Sequence, residues 1–224
     1  MAMFAFIHGA GDVGWYWHLV GAELQRAGHE TVAPDLPIED DNAGLSRYAD
    51  VVIDAIGARR DVVVVAQSFG GYTAPIVADR IGARAIVLVA GMVPKPGESA
   101  EEMFANTRWE PEQLEDSSAH AVFYHDVPRE LADEALSRGR HQSDTPGREP
   151  WPLDAWPEIE TRFVLCRNDC FFPARWLRPV VQDRLGIKPD EIDSGHCPAL
   201  SHPRELAGLL NGYATEATSP DPSA

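Results

Sequence analysis

The chain has 224 residues, 44% hydrophobic and 24% charged, which is enough to bury one sizeable core and is ordinary globular composition. Nineteen basic against 35 acidic side chains leave a formal charge of −16, which argues against nucleic acid and anionic membrane and leaves a small molecule as the expected partner. The three cysteines, Cys166, Cys170 and Cys197, are too few for a disulfide scaffold, and the lack of a CxxC pair excludes a zinc ribbon. The apolar runs stay well short of the roughly 18 residues of a membrane span. Met1–Gly9 lacks the basic start and long apolar stretch of a signal peptide, so the expected compartment is the cytoplasm.

In chain order, Met3–Ile7 reads as a strand that runs into the turn His8-Gly9-Ala10-Gly11. Trp15–Ala27 has helical periodicity and stops at Gly28; Glu30–Ala33 is a short strand ended by Pro34. Leu45–Ile56 is a periodic helix closed by Gly57. Val62–Ala66, mostly valine, reads as a strand buried on both faces, followed by a helix over Phe69–Ile81 and a second buried strand over Ala85–Ala90. The last elements are strands at Arg162–Cys166 and Pro189–Ile192 and helices at Ala174–Leu185 and Arg204–Thr215. This alternation predicts an α/β fold: a doubly wound, mostly parallel six-stranded sheet with helices on both faces.

The stretch from Pro94 to about Glu158 breaks the rhythm and reads as a helical cap inserted in a core made of residues 1–93 and 159–216. Within it, Tyr124–Arg138 reads as one helix with Pro128 near its first turn, and Glu98, Glu101 and Glu102 as a solvated helix start. The tail 217–224, rich in Pro and Ser, is expected to be disordered.

The sharpest chemical signal is Ala66-Gln67-Ser68-Phe69-Gly70, between a strand and a helix. It follows the nucleophile-elbow pattern with alanine at the first small position, where a tight turn projects the serine hydroxyl and its neighbours two residues away must be small. The competing reading is a serine N-cap on an ordinary βα turn. Asp169 follows one later strand and His196 the last, in the order nucleophile, acid, base, both at the carboxyl end of the sheet. A loop histidine and a turn aspartate are the plain alternatives for each alone. The glycine-rich turn after the first strand and the residue after Ser68 point to the N–H groups of Ala10 and Phe69 as an oxyanion hole.

With these four motifs together, the chain resembles the α/β-hydrolase superfamily, and within it the small esterases related to plant hydroxynitrile lyases and methyl-ester esterases. Residues 8–20 (HGAGDVGWYWHLV), Ala27-Gly28-His29 and 33–36 (APDL) resemble that group's opening, 167–173 (RNDCFFP) its acid loop and 195–203 (GHCPALSHP) its closing signature. The resemblance implies a helical cap and Asp169 as the acid, in a trimmed version without the antiparallel strands that many members carry at the start. It also implies a distinction between reactions. The cyanohydrin-cleaving lyases carry Thr after the first His and Lys after the catalytic His, whereas this chain has Gly9 and Cys197, which favours ester hydrolysis.

The expected enzyme is therefore a serine hydrolase acting on a small, fairly apolar carboxylic ester through Ser68, His196 and Asp169, with no metal or organic cofactor. A C–C lyase or acyltransferase with the same triad, or a non-catalytic ligand-binding member of the fold, is the alternative. Gly9, Trp15, Trp17, Phe104, Phe123, Tyr124 and Trp151 are candidate pocket residues, with core packing the competing role for the aromatics. His120, His125 and His141 read as surface residues. Cys197 and Cys170 read as small packing residues and not nucleophiles. The oligomeric state is open, a homodimer being one option.

Overall fold

The computed structural model describes residues 1–216, so the tail expected to be disordered lies outside the described residues. Six strands, β1 (Met3–Ile7), β2 (Glu30–Val32), β3 (Val62–Gln67), β4 (Ala85–Val89), β5 (Glu160–Cys166) and β6 (Asp190–Ile192), form one sheet in the order β2-β1-β3-β4-β5-β6. Every pairing among them is parallel. β1, β3 and β4 are buried along their whole length, as their unbroken apolar sequences require.

Period-two alternation sorts the strand side chains between two cores. Ala5, Ile7, Val64, Ala66, Leu88 and Leu165 face α2 (Leu45–Ile56), α3 (Ala74–Ile81) and α8 (Ala174–Leu185). Phe4, Phe6, Val63, Val65, Val87 and Val164 face α1 (His18–Arg26) and α10 (Pro203–Glu216). The direction of winding reverses between β1 and β3, so the crevice at their carboxyl ends is where a parallel sheet of this kind places its ligand.

Two expected helices are shorter than their periodicity. Gly14–Trp17 and Ser68–Tyr72 are 3-10 turns that precede α1 and α3. The segment 94–158 contributes α4 (Ala100–Thr107), α5 (Ala119–Phe123), α6 (Arg129–Arg138) and α7 (Thr145–Arg148). The single helix expected over Tyr124–Arg138 is thus corrected to a shorter one, Arg129–Arg138, with residues 124–128 forming a non-helical link to α5. Proline disfavours helical backbone at the residue before it, so Val127 leaves the helix and Pro128 caps α6.

Glu98 is a second correction. It lies outside α4, which is capped by Ser99 and Glu102 in a reciprocal capping box. Glu98 is only 6% exposed and ion-pairs with Arg184 of α8, itself 4% exposed. Burial alone would raise its carboxyl, but hydrogen bonds from Arg184 and Asn106, the Arg184 charge and the Lys95 N–H outweigh it and hold the pKa below the usual value. With Trp151 Nε1 donating to Tyr72 O (3.0 Å) and Trp176 Nε1 to Thr107 O (3.1 Å), this pair ties the inserted segment to the sheet layer.

Removing one partner of a buried ion pair strands the other. Glu98→Ala is expected to cost about 3–5 kcal/mol in urea denaturation. Glu101→Ala, which breaks an exposed pair with Arg148, is expected to cost at most about 1 kcal/mol.

Candidate active site

Ser68 directly follows β3 and has φ +52°, left-handed backbone that a non-glycine residue adopts only when its surroundings impose it. Met92 N–H, beyond the end of β4, donates to Ser68 O at 2.9 Å. The small residues after the serine are needed for close approach. A Cβ at Gly70 would lie 2.9 Å from His8 O, and one at Gly71 would overlap the Met92 backbone.

Asp169 and His196, in the loops after β5 and β6, meet. His196 Nδ1 lies 2.7 Å from Asp169 Oδ2, and both side chains are buried. The other carboxylate oxygen, Oδ1, accepts the N–H groups of Phe171 (2.8 Å) and Phe172 (2.9 Å), which fixes the aspartate in its loop. The rings of Phe123, Phe171 and Phe172 surround the imidazole at 5.4, 5.5 and 5.3 Å between centroids. Ser68 Oγ makes no hydrogen bond to His196 among the described residues; the two line one cavity.

The turn after β1 is held by His8. Leu36 N–H donates to His8 Nε2 (3.0 Å), so the proton sits on Nδ1, which donates to Gly9 O (2.8 Å). Burial lowers the His8 pKa to about 4, with the Arg140 charge acting in the same direction against the Gly9 bond, so the ring is neutral at neutral pH. No protein group accepts the Ala10 N–H among the described residues, and Phe69 stands in the first turn of a helix, where N–H groups lack intrahelical acceptors.

Two cavities meet at Ala10, Ser68 and Phe171. One, about 240 Å³, is lined chiefly by Phe69, Met92, Ala100, Phe104 and Phe172. The other, about 290 Å³, holds His196 with Gly9, Asp12, Phe123, Tyr124 and Cys197. Of the candidate pocket residues, Gly9, Phe104, Phe123 and Tyr124 therefore line these cavities. Three others are corrected. Trp17 is buried and stacks on Phe6 at 4.7 Å, and Trp151 is buried against Tyr72. Trp15 borders a separate hollow beneath α1, with the Arg138 guanidinium over its ring. Large flat side chains beside a site sequence pack where the sheet leaves room, and sequence distance does not show which way they turn.

Several residues at the site escaped the sequence reading. Gln67 Nε2 donates to His196 O at 3.2 Å and joins the elbow to the histidine loop. From the inserted segment, His125 Nε2 donates to Asn168 O (3.0 Å), beside Asp169, while Asp126 Oδ2 accepts the Gly195 N–H (2.7 Å), beside His196. Gln67 was signalled by its place before the serine; His125 and Asp126 sit in the stretch mistaken for helix and had no signal. Burial pushes the Cys197 thiol up, away from the thiolate a nucleophile needs. Among the described residues no cluster of His, Cys, Asp or Glu has the arrangement of a metal site, and no helix is long and apolar enough to cross a membrane.

The sheet order, the strained serine and the three loops at its carboxyl end are those of an α/β hydrolase. The model of the alpha/beta hydrolase family matches residues 4–209, and the chain belongs to that family. Among its relatives are methylesterase 7 of Arabidopsis thaliana, 26% identical over 92% of this chain and 94% of the relative, and the alpha-hydroxynitrile lyase of the same plant, 23% identical over 95% and 97%. The crystal structure of polyneuridine aldehyde esterase has the same fold, with a TM-score of 0.81, 19% identity and coverage of 96% of this chain and 99% of that one.

The neutral state of His8 gives a signed pH dependence. Its folded pKa lies below the unfolded value of 6.5, so between pH 6.5 and about 4 the unfolded chain binds more protons and stability falls as pH falls. The loss amounts to about 3 kcal/mol across that window. Asp12, raised from 3.8 to about 6 by burial, acts with the opposite sign, losing stability as pH rises through the same range. The His8 contribution is therefore read from a difference: the destabilisation by His8→Gln should be largest near pH 7.5 and shrink by up to about 3 kcal/mol towards pH 4, measured by denaturant titration at each pH.

Proposed function

We propose that this chain is a serine esterase that cleaves small, fairly apolar carboxylic esters through an acyl-enzyme. The observation that carries the reading is Ser68 at φ +52°, sharing a cavity with a histidine whose far nitrogen is 2.7 Å from a buried aspartate. Relatives named as esterases, and the membership in a hydrolase family, support the same reaction class.

In this mechanism Ser68 Oγ attacks the ester carbonyl and passes its proton to His196 Nε2. Asp169 Oδ2 holds the Nδ1–H and stabilises the imidazolium, and the Ala10 and Phe69 N–H groups bind the oxyanion. His196 then gives the proton to the departing alcohol oxygen, leaving the acyl group on Ser68. Water, deprotonated by His196, attacks the acyl carbonyl, and the carboxylic acid leaves as Ser68 regains its proton. The step requires Ser68 Oγ to come within reach of His196 Nε2, a contact that triads without ligand commonly leave open. The segment 94–158 acts as a cap, supplying Phe104, Phe123 and Tyr124 to the walls.

Hydrolysis is preferred to cyanohydrin cleavage for a steric reason as well as the charge that Cys197 lacks. A side chain at position 9 would overlap Gln67 Oε1 and press on Ser68 Cβ (3.1 Å), so a threonine there requires the Gln67–His196 tie to move.

Ser68→Ala should lower turnover of p-nitrophenyl acetate on the order of 10⁴-fold or more and abolish labelling by a fluorophosphonate, with folding retained. Cys197→Ala should still be labelled at Ser68. Labelling that depends on Cys197 and survives Ser68→Ala would reassign the nucleophile.

A further inference from the structure

The two cavities differ in polarity, and one group is left over from the mechanism. Asp12 lines the cavity that contains His196. Its Oδ1 accepts the N–H of Val13 at 2.8 Å, and among the described residues no group donates to Oδ2. No lysine or arginine lines this cavity, whereas the carboxylates at the edge of the other one, Glu101 and Asp144, are both paired with Arg148. The rings of Phe123, Tyr124 and Phe171 line the same cavity, and Tyr124 is near enough to feel the Asp12 charge. A carboxylate with a free oxygen, in a cavity lined by aromatic rings and without a counter-cation, has the composition of a receptor for an ammonium group.

Which half of an ester reaches Asp12 follows from the chemistry. The histidine must hand its proton to the departing oxygen, so the alcohol leaves along the cavity that His196 lines. The acyl part then occupies the Phe104–Phe172 cavity. We infer that Asp12 is a specificity-determining residue that selects esters whose alcohol carries a cationic ammonium group, an inference that rests on the ester-hydrolase reading above. Burial holds the Asp12 carboxyl up at about 6, with the nearby Asp35 charge raising it and His196 lowering it. At neutral pH the group is thus mainly an anion kept at a desolvation cost, which a cationic guest relieves. The cavity, about 290 Å³, has room for a branched ammonium alcohol.

The test uses two esters of one acid that differ only in charge, choline butyrate and 3,3-dimethylbutyl butyrate, assayed with the wild-type chain, Asp12→Asn and Asp12→Glu. The expected result is a kcat/KM ratio, choline ester over neutral ester, that falls at least tenfold in Asp12→Asn, mainly through KM for the choline ester, and is partly restored in Asp12→Glu. Choline should also inhibit the wild-type chain more tightly than 3,3-dimethylbutanol, a comparison that needs no variant to fold. Hydrolysis of the neutral ester with the same ratio in wild type and Asp12→Asn, or tighter inhibition by 3,3-dimethylbutanol, overturns the Asp12 assignment alone. Hydrolysis of neither ester, together with no fluorophosphonate labelling of Ser68, overturns the ester reading and the assignment with it.

Discussion

A serine at φ +52° is held there at a cost of about 1–3 kcal/mol, and the chain around it is shaped by that requirement. The backbone of the turn comes so close to the end of β1 and to the chain after β4 that positions 70 and 71 admit no side chain. Met92 N–H then fastens the carbonyl of the strained residue itself. The central strands β1, β3 and β4, buried throughout, supply the rigidity that keeps the turn from relaxing. Because β1 and β3 are neighbours, the same packing that strains Ser68 also fixes the distance between its hydroxyl and the Ala10 loop.

Two histidines flank this turn, and their surroundings give them opposite characters. His8 is satisfied at both nitrogens by main-chain groups, and burial keeps it neutral, so it serves as a brace between the β1 turn and Leu36. His196 has a carboxylate on one nitrogen, and its other side faces the cavity with Ser68. A ring that already gives and takes one hydrogen bond with the backbone has nothing left to offer a substrate; a ring with one committed nitrogen does. The difference lies in what each loop brings to the imidazole, since the side chains are identical.

The sheet and its helices were legible because their signals are local. Unbroken apolar runs, valine-rich in β3, mark β3 and β4, and the helices Leu45–Ile56 and Ala174–Leu185 have the predicted ends because a glycine stops each. The places of Ser68, Asp169 and His196 were legible for a related reason: Ser68 directly follows β3, Asp169 and His196 lie in the loops just beyond β5 and β6, and parallel strands bring their carboxyl ends together whatever separates them in sequence. The inserted segment resisted. Its helices are short, its hydrophobic positions face the site as well as a core, and a proline cut the one helix that periodicity offered. Glu98 resembled a solvated carboxylate because its partner, Arg184, lies 86 residues away. Trp17 and Trp151 were indistinguishable by sequence from Phe104, since an aromatic fills a core or a pocket equally well.

The dipeptide His125–Asp126 bears on how such an enzyme can be recombined. It lies in the long segment between β4 and β5, yet its side chains bind main-chain groups of the loops after β5 and β6, the Asn168 carbonyl and the Gly195 N–H. Transplanting a relative's insertion onto this core would thus exchange two backbone anchors along with the pocket walls. A donor segment lacking a carboxylate at 126 leaves the Gly195 N–H without its acceptor, immediately before His196. Grafting boundaries drawn at 94 and 158 cut through a hydrogen-bonded unit, and a functional chimera has to carry these two side chains across with the core it came from.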